Sequence, residues 1–362
     1  MQIRTAVLLC AGRATRLWPV TLSRPKALVR IANKPILHRI LESLAAAGIE
    51  RTVVVISPND ESIPNCLNTY PVPNIETVFV PQDKPRGLAD ATYQARELVG
   101  DEPFLLHLGD ELIENGVTDF VSQAAGTGAD ASILVRAVED PRHYGVAVLE
   151  GDRIVRVIEK PETPPSPYAL VGLYVFTPSI FQAIASTPKS LRTGEVEITD
   201  AIQWLIDKQE DVRAVVFEKT WFDIGRFETL LAANRFYLER EVTDAPPPTG
   251  DHCTVVGSVV VAHSCSLVDC KIIGPCVIAG GCDIRESVIG PHVAIGDRCR
   301  IYHSRVEDSI LGAACEVSHL LGGLAHSVLG DKVRLQGGGA SERVQLHAGD
   351  RTYVELSAPE GR

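Results

Sequence analysis

Residues 7–17 have the sequence Val7-Leu8-Leu9-Cys10-Ala11-Gly12-Arg13-Ala14-Thr15-Arg16-Leu17, so that a short apolar run ends directly in a small, basic loop. Small residues let backbone N–H groups approach an anion, and Arg16 together with Lys26 supplies positive charge. Arg16 can form a paired contact with phosphate oxygens, whereas Lys26 acts as a mobile point charge. The loop therefore indicates phosphate binding, with a solvated basic turn as the alternative. It is neither a P-loop nor a dinucleotide-binding loop, because the sequence contains neither G-x-x-x-x-G-K-[ST] nor G-x-G-x-x-G.

The region around this loop, up to residue 240, alternates β-branched runs with helical patterns. This alternation predicts an α/β fold with a mostly parallel sheet and helices on both faces. Ligands bind at the carboxyl ends of the strands in such a sheet, so the Ala11–Leu17 loop and the Gly109-Asp110 turn are expected at the same edge. The predicted strands cover 51–56, 76–80, 104–107 and 131–135, and the predicted helices cover 37–47, 88–99, 198–207 and 227–238.

Two aspartates, Asp110 and Asp223, each follow an apolar strand-like run and precede a turn. Both can therefore reach one edge of the sheet, although they are far apart in sequence. Paired carboxylates near bound phosphates suit Mg²⁺, which takes few protein oxygens and keeps its other positions for water and substrate. We expect a magnesium site here, against the alternative that each aspartate only forms a turn.

A stiff, proline-rich segment from Glu241 to Asp251 separates this region from a C-terminal part of different character. Beyond it, an aliphatic residue or Ala repeatedly precedes Gly, often at steps of six, as at Ile273-Gly274, Ala279-Gly280, Ile289-Gly290 and Ile295-Gly296. A hexapeptide repeat of this kind winds a parallel β-helix, with about five coils between Cys253 and Leu335. Cys270, Cys276 and Cys282 share the six-residue spacing, which indicates packing as small apolar groups rather than metal ligation.

The composition of the 362 residues excludes several classes of protein. No apolar run approaches ~18 residues, so no membrane span is expected. The net charge of −11 argues against nucleic acid as a partner and leaves the basic loop as the place where an anionic ligand would bind. The first residues lack the layout of a secretory signal, which predicts a cytoplasmic location.

Several further motifs follow the basic loop: Gln82 with Gly87-Leu88-Ala89-Asp90-Ala91, Tyr144-Gly145-Val146, Glu159-Lys160-Pro161, Val171-Gly172-Leu173-Tyr174, Gly194-Glu195-Val196-Glu197-Ile198-Thr199-Asp200 and Trp221-Phe222-Asp223-Ile224-Gly225. With the loop, they resemble the sugar-phosphate nucleotidylyltransferase family over residues 3–240. The pattern is most similar to long forms that transfer a thymidylyl group to glucose 1-phosphate and carry a C-terminal left-handed β-helix. The resemblance implies a Rossmann-like nucleotidyltransferase domain at 1–240, a linker at 241–251, a left-handed β-helix at 252–340 and a C-terminal tail at 341–362.

The resemblance also implies a reaction, in which an oxygen of a sugar 1-phosphate attacks the α-phosphorus of a nucleoside triphosphate and pyrophosphate leaves. Arg16 and Lys26 would hold the triphosphate, Asp110 and Asp223 would hold Mg²⁺, and Lys160 would hold the sugar phosphate. The implied nucleotide-binding residues are Leu9, Ala11, Gly12, Thr15, Arg16, Gln82 and Gly87. The implied sugar-phosphate-binding residues are Tyr144, Gly145, Glu159, Lys160, Val171, Glu195 and Glu197. Each has a structural alternative, such as packing for Tyr144, a plain turn for Lys160 and a helix start for Glu195 or Glu197.

Four positions depart from the family pattern: Ala14 stands for Gly, Ala27 for Pro, Glu111 for Asn and Arg226 for Thr. They leave open a guanylyl-, uridylyl- or cytidylyltransferase acting on mannose 1-phosphate or another sugar 1-phosphate. A non-catalytic regulatory subunit is a second alternative, and an acyltransferase that uses His303 or His319 of the β-helix is a third. The β-helix is expected to mediate self-association into a homo-oligomer, because its open end needs a cover.

Overall fold

The computed structural model describes residues 1–12, 14–242, 251–337 and 343–356. The chain divides into two compact units: unit 1 contains residues 1–12 and 37–223, and unit 2 contains residues 13–36 and 224–362. This division by compactness differs from the predicted domain boundary at residue 240, which stays a prediction. The physical reason is that residues 13–36 and the helix Phe227–Glu241 contact the C-terminal coils, for example through Asn33 and Arg235. The predicted linker at 241–251 lies almost entirely outside the described residues.

Nine strands among the described residues form the main sheet of unit 1. In spatial order they are Glu76–Pro81, Arg51–Ile56, Thr5–Leu9, Phe104–Leu108, Tyr168–Phe176, Ala131–Ala137, Val212–Val216, Arg153–Glu159 and Gly145–Glu150. The first four run parallel, and Tyr168–Phe176 is antiparallel to both of its neighbours. The predicted α/β fold is confirmed, but strand directions are more mixed than expected. One cause is the hairpin 145–159, which turns tightly at Gly151, where φ is 64°.

Helices cover both faces of this sheet. Val7, Leu8 and Leu9 are all buried, although successive side chains of a strand point to opposite faces. The helix predicted at 198–207 is observed with those bounds, whereas the one predicted at 88–99 is divided at Ala95. The helices are Ile36–Ala46, Ser62–Thr69, Leu88–Gln94, Arg96–Val99, Val117–Thr127, Ser179–Ser186 and Ile198–Asp207, with a 3-10 turn at Pro141–His143. A separate antiparallel pair joins Glu111–Ile113 to Trp221–Asp223.

Unit 2 is built on a left-handed parallel β-helix with three sheets, as predicted. In each sheet a strand pairs in parallel with the strand one coil later, as Thr254 does with Lys271. The first sheet contains Thr254–Val256, Lys271–Ile273, Val288–Ile289, Arg305–Glu307 and Leu324–Ala325. The second contains Val259–Val261, Cys276–Ile278, Val293–Ile295, Ile310–Leu311, Val328–Leu329 and His347–Ala348. The third contains Ser266–Val268, Asp283–Arg285, Arg300–Tyr302, Glu316–Ser318, Arg334–Gln336 and Tyr353–Glu355.

The β-helix continues past residue 340, where the sequence predicted a tail. The strands His347–Ala348 and Tyr353–Glu355 extend two of the sheets, and Leu346 and Val354 pack against the apolar interior. The prediction of a tail is corrected on this evidence of pairing and packing. The hexapeptide spacing is interrupted after Leu335, so the repeat alone did not reveal this last coil.

The interior of the coils is aliphatic and contains thiols. Cys270, Cys276 and Cys282 are buried in this core, which confirms their predicted packing role. Besides the coils, the described part of unit 2 contains two 3-10 turns, a small hairpin and one helix. They are Thr15–Leu17, Lys26–Leu28, Arg30–Ile31 with Lys34–Pro35, and Phe227–Glu241. No helix within the described residues is long and apolar enough to cross a membrane.

Candidate active site

The predicted edge of the sheet forms where three parallel strands end together. Leu9 is paired with Val55 on one side and with Leu108 on the other. The next residue, Gly109, donates its backbone N–H to Leu9 O at 2.9 Å. A Cβ on Gly109 would lie 2.5 Å from Leu9 O, so only glycine permits this approach. Asp110 therefore lies at the carboxyl edge of the sheet, where residues 9–12 also leave the sheet.

The small antiparallel pair brings the two candidate metal ligands to one place. Asp223 pairs with Glu111, the residue that follows Asp110. Glu111 is only 7% exposed and accepts a hydrogen bond from Trp221 Nε1 at 2.5 Å, which ties the two strands together. Two carboxylates fit magnesium, which commonly takes one or two protein carboxylates and completes its shell with water and phosphate oxygens. Within the described ranges, no group of three or more His, Cys, Asp or Glu side chains could hold a metal by itself.

Gln82, the candidate base reader, has a fixed amide orientation. Its side chain is buried, and Nε2 lies 2.8 Å from Asp90 Oδ2 and 3.2 Å from Gly87 O. A carboxylate and a carbonyl can only accept hydrogen bonds, so both groups must face the amide NH₂. The carbonyl oxygen Oε1 is consequently the end of Gln82 that can accept a hydrogen bond from a ligand.

Gly87 has a structural reason to be glycine. Its φ is 102°, and a Cβ would lie 2.8 Å from Val196 O and 3.0 Å from Glu195 Cβ. The structure thus shows that residues 195–196 pack closely on the backbone at Gly87. Glu195, assigned to the sugar phosphate, thus lies directly against Gly87, assigned to the nucleotide.

Four candidate sugar-phosphate residues lie together at the start of the 145–159 hairpin. Gly145 pairs with Glu159, and the Lys160 backbone N–H donates to Tyr144 O at 3.0 Å. Lys160 Nζ lies 2.9 Å from Glu159 Oε1, and Thr199 Oγ1 donates to Glu159 Oε2 at 3.2 Å. The Tyr144 ring packs on Trp221 with a centroid separation of 5.3 Å, so this group adjoins the strand that ends at Asp223.

Two other candidates have structural roles. The Val171 side chain is completely buried in the sheet, so only its backbone could contact a ligand. The Glu197 carboxylate accepts a hydrogen bond from Thr193 Oγ1 at 2.8 Å and lies 3.5 Å from Arg192 Nη2. These contacts stabilise the turn before the helix Ile198–Asp207. Burial is the main cause that raises the pKa of the neighbouring Asp200, and the negative charges of Glu197 and Glu159 raise it further.

The basic loop belongs to unit 2. Thr15 and Arg16 are exposed in the 3-10 turn Thr15–Leu17, and Lys26 is half-buried in the turn Lys26–Leu28. Ala14 precedes the first turn with φ 44° and ψ 45°, the left-handed conformation that the family's glycine would favour. Leu9, Ala11 and Gly12 belong to unit 1, and Arg13 lies outside the described residues.

Sequence reasoning missed the residues that support the site. Asp90 orients Gln82, Trp221 binds Glu111, and Thr199 binds Glu159. Each contact joins residues that are distant in sequence, and no local pattern marks such a pair. The histidines proposed for an acyltransferase, His303 and His319, stack on each other at 5.1 Å, and His303 Nδ1 lies 3.2 Å from Glu286.

Comparison with known proteins identifies the family. The family model described as "Nucleotidyl transferase" matches residues 5–240. The chain belongs to the nucleotidyl transferase family. This nucleotidyltransferase is 36% identical to a glucose-1-phosphate thymidylyltransferase of Streptomyces antibioticus, over 98% of this chain and 99% of that protein. It is 34% identical to a glucose-1-phosphate thymidylyltransferase of Streptomyces griseus, over 86% of this chain and 88% of that protein.

A solved structure supports the same conclusion. The crystal structure of a UDP-glucose pyrophosphorylase complexed with UDP-glucose matches this nucleotidyltransferase with a TM-score of 0.60 and 26% identity. The match covers 66% of this chain and 100% of that one. The predicted family membership and fold class are confirmed, and the nucleotidyltransferase acts on sugar 1-phosphates.

Proposed function

We propose that this enzyme transfers a thymidylyl group from dTTP to glucose 1-phosphate, with Mg²⁺, giving dTDP-glucose and pyrophosphate. The observation that carries the proposal is the pairing of Asp223 with Glu111, the residue that follows Asp110. The two thymidylyltransferases of Streptomyces, similar over most of the chain, support the choice of dTTP and glucose 1-phosphate.

The orientation of Gln82 supports a base that donates a hydrogen bond. Oε1 is an acceptor, and thymine and uracil carry a donor N–H at N3, as guanine does at N1. Cytosine and adenine carry an acceptor at the corresponding ring position, which would leave two acceptors facing each other. The runner-up is therefore uridylyl or guanylyl transfer, and cytidylyl transfer fits less well.

The residues would act through positioning and charge rather than through a covalent intermediate. When bound, magnesium would neutralise charge on the phosphates near Asp110 and Asp223. Arg16 and Lys26 would hold the triphosphate and the charge that develops on pyrophosphate. Lys160 would exchange its contact with Glu159 for the phosphate of the sugar, and Glu159 would then accept hydrogen bonds from sugar hydroxyls.

The direct test measures pyrophosphate release with magnesium for each nucleoside triphosphate against glucose, mannose, galactose and N-acetylglucosamine 1-phosphates, with mass spectrometry of the products. We expect the highest kcat/KM for dTTP with glucose 1-phosphate. A different best pair would replace the proposed substrates and keep the reaction. No turnover in folded protein would favour the non-catalytic alternative.

A matched pair of variants tests the carboxylates. Asp110→Asn removes a charge that would face the metal and is expected to lower kcat by about 100-fold or more, because charge stabilisation at such sites supplies several kcal/mol. The control, Asp119→Asn, removes an exposed carboxylate that pairs with Lys219 and should leave kcat unchanged. Near-normal turnover of Asp110→Asn at limiting magnesium would refute the metal assignment.

A further inference from the structure

The segment that carries Arg16 and Lys26 is fastened to the last coils of the β-helix by a partly buried ion-pair group. Arg24 Nη2 lies 2.6 Å from Asp350 Oδ1 and 2.8 Å from Asp331 Oδ2. Ser23 Oγ donates to Asp350 Oδ2 at 2.6 Å. We call Arg24, Asp331 and Asp350 the Arg24 clamp. All of its residues lie in unit 2, and Asp350 belongs to the coil that the hexapeptide pattern did not reveal.

The two acids of the clamp occupy equivalent corners of neighbouring coils. The Asp331 backbone N–H donates to Asp350 Oδ1 at 2.7 Å, and the Ala313 backbone N–H donates to Asp331 Oδ1 at 2.7 Å. Each carboxylate therefore joins its own coil to the preceding one and also contacts Arg24. An arginine can serve two acceptors in this way because its guanidinium carries several N–H groups in a fixed plane.

The clamp is more than a surface ion pair. The Arg24 side chain is 17% exposed and that of Asp350 is 20% exposed, so solvent screens the pair only in part. Burial opposes the charge on Asp350, but hydrogen bonds from Arg24 and Ser23 lower the pKa of its carboxyl below its usual value. Removal of one partner would leave the other charge partly buried and uncompensated.

Further contacts fasten the same segment on both sides of Lys26. A Cβ on Gly349 would lie 2.7 Å from Pro19 O, so the last coil packs closely on the chain before the clamp. Beyond the clamp, Asn33 Nδ2 donates to Ile295 O at 2.7 Å, and Arg30 Nη1 lies 3.7 Å from Asp297 Oδ2. These contacts lie on both sides of Lys26 in the sequence, and the first of them, at Pro19, follows shortly after Arg16.

We propose that the last coils of the β-helix position the nucleotide-phosphate loop, and that Arg24 is the positioning residue through which they do so. The inference rests on the proposed function, because it takes Arg16 and Lys26 as the groups that contact the triphosphate. An ordered loop binds the triphosphate without first losing conformational entropy. Loss of the clamp is therefore expected to weaken nucleotide use and to leave use of the sugar phosphate unaffected.

Arg24→Gln and Asp350→Asn test the proposal in the full chain. Each is expected to raise the KM for the nucleoside triphosphate by about 10-fold or more, since small misplacements of contacting groups are costly. The KM for sugar phosphate at saturating nucleotide should change by less than about two-fold, as expected for a residue that contacts neither substrate. The double variant should resemble either single variant, because both changes break one network.

Amide hydrogen exchange supplies a readout that does not depend on activity. Residues 14–31 should exchange about 10-fold faster in both variants, whereas residues 276–295 in the middle coils should keep their protection. Arg334→Gln is the matched control: Arg334 lies in the same coil as Asp331 but pairs with Glu316 at 3.2 Å, on the sheet surface. It should leave both the exchange rates and the KM values unchanged. Arg24→Lys keeps the charge but loses the planar, forked donor group of the guanidinium. Its exchange rates and its KM for the nucleotide should therefore lie between those of wild type and Arg24→Gln.

Three results would overturn the proposal. Unchanged exchange of residues 14–31 in Arg24→Gln would show that the clamp does not order the loop. Faster exchange without a rise in the KM for nucleotide would show that the ordering does not serve nucleotide binding. Equal rises in both substrate KM values, with faster exchange in the middle coils, would show general destabilisation instead. If the wild-type chain transfers no nucleotide, the proposed function fails by itself, and the exchange rates still decide whether the clamp orders the loop.

Discussion

At the scale of single residues, Ala14 is one of several non-glycine residues whose backbone conformation favours glycine. Its φ of 44° lies in the left-handed region, where a Cβ is unfavourable. Ala14→Gly is expected to raise the free energy of unfolding by about 1 kcal/mol, because glycine adopts this conformation without strain. Chemical denaturation of both proteins measures the difference.

The matched control for this prediction should change the free energy of unfolding in the opposite direction. Ala46 is exposed in the helix Ile36–Ala46, and Ala46→Gly should lower the free energy of unfolding by up to about 1 kcal/mol. If Ala14→Gly lowered stability as well, the strain at position 14 would be absent.

Asp90 is the second residue whose role the structure reveals. Asp90→Asn weakens the fixed orientation of the Gln82 amide, because an asparagine can accept from or donate to it and only Gly87 O then remains as an obligatory acceptor. We expect the preference for dTTP over dCTP to fall by about 10-fold, the equivalent of one hydrogen bond of about 1.4 kcal/mol. The ratio of the two kcat/KM values measures this preference.

Arg86 provides the control for the Asp90 prediction. Its Nε lies 3.0 Å from Asp90 Oδ1, on the other carboxylate oxygen from Gln82. Arg86→Gln keeps the Asp90 carboxylate and should preserve base selectivity. Equal selectivity in Asp90→Asn and wild type would mean that Gln82 does not read the base in this orientation.

At the scale of elements, periodic patterns were predictable and pairings between distant segments were not. The helix Ile198–Asp207 and the strand Arg51–Ile56 were predicted with their observed bounds, because each has a strong local pattern. The pairing of Trp221–Asp223 with Glu111–Ile113 depends on two three-residue strands that carry no periodicity. Convergence of Asp110 and Asp223 could be predicted from strand ends, whereas the Glu111–Trp221 hydrogen bond that ties the strands could not.

The helix Phe227–Glu241 is anchored through an ion-pair group that makes stability depend on pH. Arg235 donates to Asp308 through Nε and Nη2, and His326 Nδ1 contacts the same carboxylate. Burial opposes the charge on Asp308, but Arg235 and His326 lower the pKa of its carboxyl. A folded-state pKa below the unfolded value of about 3.9 stabilises the fold above that pH, and this contribution is lost as pH falls through the folded pKa.

Asp308→Asn tests this anchor. At pH 7 the variant should lose about 1–3 kcal/mol of unfolding free energy, the range for hydrogen bonds to charged groups. The loss should be smaller at pH 3, because that pH lies below the unfolded-state pKa of about 3.9 and the contribution of the carboxylate decreases towards its lower folded-state pKa. Urea denaturation at both pH values measures the change, and a loss that is independent of pH would contradict the assignment.

At the scale of the whole molecule, the family match and the compact units have different boundaries. The match covers residues 5–240, but residues 13–36 and 224–240 belong to the same unit as the β-helix. The sequence could indicate the α/β region and the β-helix. It could not indicate that Arg24 pairs with Asp350, because ion pairs between distant segments leave no spacing pattern. The candidate phosphate-binding loop therefore looked like part of the first domain, while the segment that carries it contacts coils of the β-helix.

A chain that ends at Val242 tests whether the family region is stable without the β-helix. In that chain Arg24 lacks Asp331 and Asp350, Asn33 lacks Ile295 O, and Arg235 lacks Asp308. Opening of residues 14–36 should then cost little free energy, so trypsin should cut after Arg16 and Lys26 about 10-fold faster or more than in the full chain. Sites in the strands of unit 1, at Arg51 and Arg153, are internal controls and should be cut at the same rate in both chains. Equal cleavage after Lys26 in the two chains, with equal turnover, would show that residues 1–242 hold the loop without the β-helix.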